Sequence, residues 1–271
     1  MPPRKLQGQV AIVTGSGRGL GAASAQMLAE MGASVVLTSR TQEEIDGVAS
    51  AIRKNGGQAI AVAGDVSDLA QVEDVVMAGL DEFGRVDILV NNAAVIWPMD
   101  EVLEVDPEEW AYSLHINLVG SFYITHSLLS MMAEQGRGKI INITSSVASK
   151  PVMGWSAYAS AKAGLDMLTR SLALELAGTG VMVNGLNPGM VDTPMQAEIR
   201  EVDTEGSRLD HSPYRTAFEQ GRLRSPRTVA HAIAWLAGPW SRDRSGDIFN
   251  VNDPDWAAQV AADLNQGKPI F

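Results

Sequence analysis

The chain has 271 residues, 45% hydrophobic and 20% charged, the composition of a globule long enough to bury a substantial core. Its formal net charge of −11 repels a phosphate backbone over most of the surface, which excludes nucleic acid as the main ligand. Cysteine is absent, so disulfides, thiolate metal sites and a cysteine nucleophile are excluded together.

No run approaches the length of a membrane span, and the start MPPRKLQGQ lacks the apolar stretch of a signal peptide. The expectation is a cytoplasmic protein with no membrane partner. His115, His126, His211 and His231 are scattered without metal-ligand spacing and read as structural or surface residues, so no metal is expected.

In chain order, short β-branched runs alternate with longer helical patterns. Strands are expected at QVAIVT (9–14), ASVVLT (33–38), QAIAVAG (58–64), VDILVNN (86–92), GKIINITS (138–145), VMVNGLN (181–187) and DIFNVN (247–252). Most are continuous apolar runs, as parallel strands buried on both faces require. Helices are expected over 20–31, 42–54, 68–83, 107–133, 157–177 and 226–237. Thr41 with Glu44 reads as a capping box opening the second helix, and Gly32 as the stop of the first. Repeated strand-helix alternation defines an α/β fold: a doubly wound parallel β-sheet of about seven strands with helices on both faces. No linker divides residues 1–271, so one Rossmann-type domain is expected. Residues 190–225 form a polar, lid-like insertion within the strandless stretch from Pro188 to Pro226, and a tail begins at about 253.

Between the first strand and the first helix lies TGSGRGLG, residues 14–21. Glycines at 15, 17, 19 and 21 let the backbone turn tightly and approach a ligand, and the following helix aims free N–H groups at a pyrophosphate. The second strand ends LTSR with no acid in reach to hold a ribose 2′-hydroxyl. Arg40, helped by Arg18, instead suits a 2′-phosphate, so NADP(H) is favoured and NAD(H) remains open. Further along, WSAYASAKAG (155–164) sets Tyr158 and Lys162 four apart in a run of small residues.

With both motifs in view, the sequence from about residue 8 to 251 resembles the short-chain dehydrogenase/reductase family, in particular its NADP-preferring carbonyl-reductase-like and 3-oxoacyl-reductase-like members. The family's TGxxxGxG falls on Thr14, Gly15, Gly19 and Gly21, with Ser16, Arg18 and Leu20 inside the turn and Ser39 beside Arg40. Its acid after the third strand falls on Asp65, next to Val66, which the resemblance places against the adenine. NNAG appears as Asn91, Asn92, Ala93 and Ala94, alanine replacing the last glycine. PGxxxT falls on Pro188, Gly189 and Thr193, with Val191 between them. The resemblance makes these cofactor contacts. Where many relatives read VDGG after the last strand, this chain reads VNDPD (251–255), which departs from the family's C-terminal subunit contacts.

The resemblance also assigns the catalytic positions: Asn117 supporting a proton-relay water, Ser145 orienting the substrate oxygen, Tyr158 as general acid/base and Lys162 as its partner on the ribose. Ser145 is preferred to Ser146 because it stands 13 residues before Tyr158 and follows the strand pattern INIT. Chemically, a hydride acceptor that becomes an alkoxide needs a proton donor and a fixed oxyanion partner. Residues four apart share a helix face. An ammonium about 4 Å from the phenol at an effective dielectric of about 20 is worth about 4 kcal/mol. That is enough to draw tyrosine from about 10 toward neutrality before burial subtracts.

Ile96, Trp97, Trp155, Met190 and Met195 are candidate pocket walls, suited to an apolar or ring-containing alcohol or ketone, and equally to a core or subunit contact. Helix 157–177 carries leucines on several faces (Leu165, Leu168, Leu172, Leu174, Leu176), so a second subunit is expected to cover its outer side, in a homotetramer or homodimer. The expected activity is NADPH-dependent reduction of a ketone to a secondary alcohol. The alternatives are an NAD-dependent alcohol dehydrogenase running oxidatively and a non-catalytic NADP-sensing regulator.

Overall fold

The computed structural model describes residues 5–204 and 206–265. The outermost parts of the expected domain and tail (1–4, 266–271) and Glu205 of the lid lie outside the described residues. One sheet holds seven parallel strands in the order β3-β2-β1-β4-β5-β6-β7. They are β1 (Val10–Thr14), β2 (Ser34–Ser39), β3 (Gln58–Ala63), β4 (Ile88–Asn91), β5 (Gly138–Ile143), β6 (Val181–Asn187) and β7 (Ile248–Asn250). Their order reverses between β1 and β4, which opens a crevice above the carboxyl ends of those two strands.

The uniformly apolar strands feed two cores. Ala11, Val13, Val35, Leu37 and Val90 face α1 (Gly19–Glu30), α2 (Gln42–Lys54) and α9 (Pro226–Ala237), where Leu28, Ile45 and Trp235 are fully buried. Ile12, Val36, Leu89 and Val183 face the opposite way, onto α3 (Leu69–Phe83), α5 (Gly120–Glu134) and α6 (Ser156–Glu175). Alternate residues of one run thus enter different cores, which is why no polar alternation shows in the sequence.

Several local expectations need correction. Thr41 precedes α2 without capping it: the Ser39 hydroxyl occupies the Thr41 N–H at 3.3 Å, and Glu44 is not drawn back to it. The helix expected over 107–133 is α4 (Pro107–Leu114), a π-helical turn at His115–Val119, and α5. The 190–225 insertion holds two helices, α7 (Pro194–Glu201) and α8 (Ser212–Glu219), each with proline in its first turn, and a single parallel bridge, Val191 to Arg224. The tail forms α10 (Pro254–Asn265) and packs on its own chain. Trp256 packs against Phe249 with ring centroids 4.8 Å apart and planes tilted by 35°, and Asp263 accepts a 2.7 Å bond from the Trp235 indole. Gly32, at φ +100°, does end α1.

Candidate active site

The glycine turn is shaped by what lies behind it. Thr14 Oγ1 accepts hydrogen bonds from the N–H groups of Asn92 and Ala93, both at 3.0 Å, and the Asn92 amide donates to the Thr14 and Gly15 carbonyls at 2.9 and 3.1 Å. The ends of β1 and β4 are thereby locked together. A Cβ on Gly21 would stand 2.2 Å from the Gly15 carbonyl oxygen, so only glycine fits there. Ser16 is fully buried, with its hydroxyl on the Thr38 carbonyl. Thr14, Ser16 and Gly21 therefore shape the turn from behind, while Gly15, Gly17, Arg18, Gly19 and Leu20 line a cavity of ≈ 890 Å³.

That cavity runs along the carboxyl ends of the strands, and most predicted cofactor contacts line it: Ser39, Arg40, Asp65, Val66, Asn92, Ala93, Ala94, Pro188, Gly189, Val191 and Thr193. Thr193 stands over the turn, its methyl 3.3 Å from where a Gly19 Cβ would be, and its hydroxyl caps α7 by accepting from Gln196 N–H. Open glycine backbone, the start of α1 and Arg40 fit a dinucleotide phosphate.

An acid that the end of the second strand did not reveal also stands at this end of the cavity. Glu44, released from the cap, turns back so that its carboxylate lies 2.6 Å from where a Gly17 Cβ would be, and it lines the cavity beside Ser39 and Arg40. Arg18 is drawn toward Glu198 of α7, 3.7 Å away, across the cavity mouth.

Ser145, Tyr158 and Lys162 meet in the same cavity. Ser145 follows β5 and accepts weakly from Val147 N–H at 3.4 Å, while Ser146 is exposed. Tyr158 is 8% exposed, and its phenol is pushed up to about 12 by burial, with the Ser145 hydroxyl hydrogen-bonding it and opposing the rise. The expected fall toward neutrality is not found. Lys162 donates to the Ile143 carbonyl at 2.8 Å and stands 5.5 Å from the tyrosine ring centroid, so its charge is spent beside the phenol rather than on its oxygen. Burial lowers the lysine itself to about 8, against a small rise from Asp166.

Asn117 is fully buried in the π-helical turn and does not line the cavity. Its amide accepts from Val95 N–H at 3.0 Å and donates to Val95 O at 2.8 Å and Ser113 Oγ at 3.2 Å. The side chain thus clamps the loop after β4.

Ile96, Trp97, Trp155, Met190 and Met195 all line the cavity. Around Tyr158 they are joined by residues the sequence did not single out: Val147, Ile199 and Tyr214, the last stacked on Trp155 at 5.1 Å. His211 sits fully buried behind them, bonded to the Trp155 indole at 3.3 Å, and burial lowers its pKa. A Pro-initiated helix in a polar stretch was the available signal for α8, and the packing of Tyr214 against Trp155 was the missing part.

A Rossmann sheet with a phosphate turn, a buried tyrosine-lysine pair and a neighbouring serine defines a nucleotide-dependent oxidoreductase. The short chain dehydrogenase family matches residues 9–204, and this chain belongs to it. It is 37% identical over 249 residues to the 3-oxoacyl-(acyl-carrier-protein) reductase FabG of Vibrio cholerae serotype O1, covering 91% of this chain and 97% of that one. It is 38% identical over 244 residues to the cis-4-hydroxycyclohexanecarboxylate dehydrogenase of Sinomonas cyclohexanicum, covering 90% and 95%. An actinorhodin polyketide ketoreductase variant solved with NADPH superposes with a TM-score of 0.83 at 32% identity, over 93% of this chain and 97% of that one. The protein is an NAD(P)-dependent oxidoreductase interconverting alcohols and carbonyls, with NADP(H) favoured and NAD(H) admissible. Its substrates are small molecules. Among the described residues no helix is long and apolar enough to cross a membrane.

Proposed function

We propose that the protein reduces a ring-containing ketone to the secondary alcohol at the expense of NADPH, with Tyr158 as proton donor. The carrying observation is the joint placement of Ser145, Tyr158 and Lys162 in one cavity with the glycine turn, beside a wall of Ile96, Val147, Trp155, Met195, Ile199 and Tyr214. A flat apolar wall suits a flat or alicyclic substrate. The relative named for cis-4-hydroxycyclohexanecarboxylate supports a ring alcohol.

In the roles proposed, bound NADPH supplies the hydride. Ser145 holds the carbonyl oxygen, and Tyr158 delivers its proton to that oxygen as the hydride arrives at carbon. Lys162 holds the ribose hydroxyls, and Asn117 keeps the loop through Val95 in place. Arg18 and Arg40 take the 2′-phosphate, Gly15 to Gly21 and Thr193 the diphosphate, and Asp65 and Val66 the adenine.

The whole chain acts as one dinucleotide-binding and catalytic unit, with 190–225 as its lid. Assembly into a homotetramer or homodimer belongs to the same proposal. It is supported by Met167 and Leu174 on α6, 60% and 78% exposed, with Phe122 and Tyr112 also exposed on α5 and α4. So does a cytoplasmic location, expected from a sequence with no membrane-length run and no signal-peptide stretch at MPPRKLQGQ.

The test is to mix the protein with NADPH and NADH separately against a panel of cyclic and linear ketones and aldehydes and to follow nicotinamide absorbance. Faster turnover of cyclic ketones with NADPH is expected. Tight cofactor binding with no turnover of any carbonyl would replace the enzyme with a sensor of NADP.

A further inference from the structure

Most arginines of this acidic chain are engaged. Arg18, Arg85, Arg137, Arg208, Arg227, Arg242 and Arg244 pair with carboxylates. Arg53, Arg200 and Arg215 donate to oxygen acceptors, and Arg170 faces Asp166. Among the described residues, Arg40, Arg222 and Arg224 have no such partner, and all three line the cavity. Arg40 belongs to the nucleotide end. Arg222 and Arg224 lie on a different segment, and the proton transfer does not account for them.

Their placement is built into the fold. The strap ending at Arg224 is laid against the segment following Gly189: Arg224 N–H donates to the Met190 carbonyl at 3.0 Å and Asp192 N–H to the Arg224 carbonyl at 2.9 Å. In extended chain, residues two apart point the same way, and both arginines do line the cavity. The Arg224 guanidinium and the Asn252 amide nitrogen converge on one spot, lying 3.3 and 3.4 Å from where a Gly189 Cβ would be. Asn252 also lines the cavity. Glu198, on the neighbouring helix α7, lies 3.7 Å from Arg18. A guanidinium and an amide donor aimed at one spot make a ready site for an anion.

We propose that Arg224, with Arg222 and Asn252, forms a carboxylate-recognising end of the substrate cavity, so that the preferred substrate is a cyclic keto or hydroxy acid. This rests on the reading of the cavity as a ketone-reducing site and adds the group that selects among ketones. A bidentate guanidinium-carboxylate contact fixes the far end of the ring while its carbonyl meets Tyr158.

The test compares reduction of 4-oxocyclohexanecarboxylate with that of its methyl ester at saturating NADPH. It also compares cyclohexanecarboxylate with cyclohexanecarboxamide as inhibitors of whichever ketone of the panel turns over. The acid is expected to exceed the ester in kcat/KM by about 10- to 100-fold, and the carboxylate to inhibit correspondingly better. Arg224→Gln should bring both ratios toward one, and Arg224→Lys should keep part of them. Ratios near one in the wild-type enzyme overturn the proposal. So does an Arg224→Gln variant that keeps the ratios and raises KM for NADPH, which would give the cation to the cofactor. Failure to reduce any ketone would instead sink the reading of the cavity on which the proposal rests.

Discussion

Lys162 is a charged group that the fold tolerates rather than welcomes. It is 2% exposed, and its pKa falls from 10.5 to about 8 through burial. At about 1.36 kcal/mol for each tenfold change in proton affinity, keeping the charged form inside costs about 3 kcal/mol at neutral pH. Lys162→Met keeps the length and removes the charge. It also leaves the Ile143 carbonyl without its 2.8 Å donor, a loss of about 1 kcal/mol. The desolvation gain is larger, so the variant should unfold about 5 °C above the wild type at pH 7, with about 2 kcal/mol more stability. It should also lose activity.

The sign of the pH dependence provides a second check. The unfolded lysine holds its proton up to about 10.5, whereas the folded one releases it near 8. Between those values the unfolded state binds more protons, so this group's contribution to wild-type stability rises with pH. The advantage of Lys162→Met should therefore be full below pH 8, shrink above it and give way near pH 10 to a deficit of about 1 kcal/mol, the lost hydrogen bond alone. Thermal unfolding of both proteins across that range measures it. A variant no more stable than wild type at pH 7, or an advantage unchanged at high pH, would refute the assignment of a desolvated ammonium at this position.

Tyr158→Phe should lower turnover by about 10²- to 10⁴-fold while NADPH still binds, as read by nucleotide fluorescence. Retained turnover would move the proton donor elsewhere. Glu44→Gln removes an anion beside Arg40 and should raise the kcat/KM ratio of NADPH over NADH several-fold. A ratio that stays put would mean the carboxylate does not sense the 2′ position. Leu174→Asp, on the exposed side of α6, should yield a smaller species in sedimentation, and an unchanged mass would place the subunit contact elsewhere.

What could be read from the chain was what local chemistry dictates. The glycine turn must be contiguous, so TGSGRGLG showed itself, as did the i,i+4 spacing of Tyr158 and Lys162. Burial is a tertiary quantity, and it reversed the sign of the tyrosine shift: the pair was legible, its dielectric was not. Glu44 was misread for a related reason. Its spacing matched a capping box, but the Ser39 hydroxyl competes for the same N–H, and that contest is settled only when β2 and α2 meet. Arg222 and Arg224 enter the cavity through a strap bridged to Val191, a contact with no local signature. The tail helix was announced in the sequence and overlooked: Asp253 before Pro254 is an N-cap, accepting from Asp255 and Trp256 N–H at 3.0 and 3.2 Å.

With Tyr158 in the proposed role of proton donor, the two pKa shifts would favour reduction. Burial favours the neutral phenol and disfavours the ammonium, yet with values of about 12 and about 8 both groups hold their protons at pH 7. A protonated tyrosine beside a protonated lysine is a donor ready for reduction. Oxidation of an alcohol needs the phenolate, present in only about one site in 10⁵ at that pH. Its kcat/KM should therefore climb about tenfold per pH unit between 6 and 8. Above 8 the climb should flatten, because each phenolate gained is offset by a Lys162 that has lost the charge supporting it. Initial rates of alcohol oxidation from pH 6 to 10 trace this curve. Oxidation that is already level between pH 6 and 8 would mean the phenol ionises far more easily than its burial allows, and proton delivery would then have to be assigned to another group.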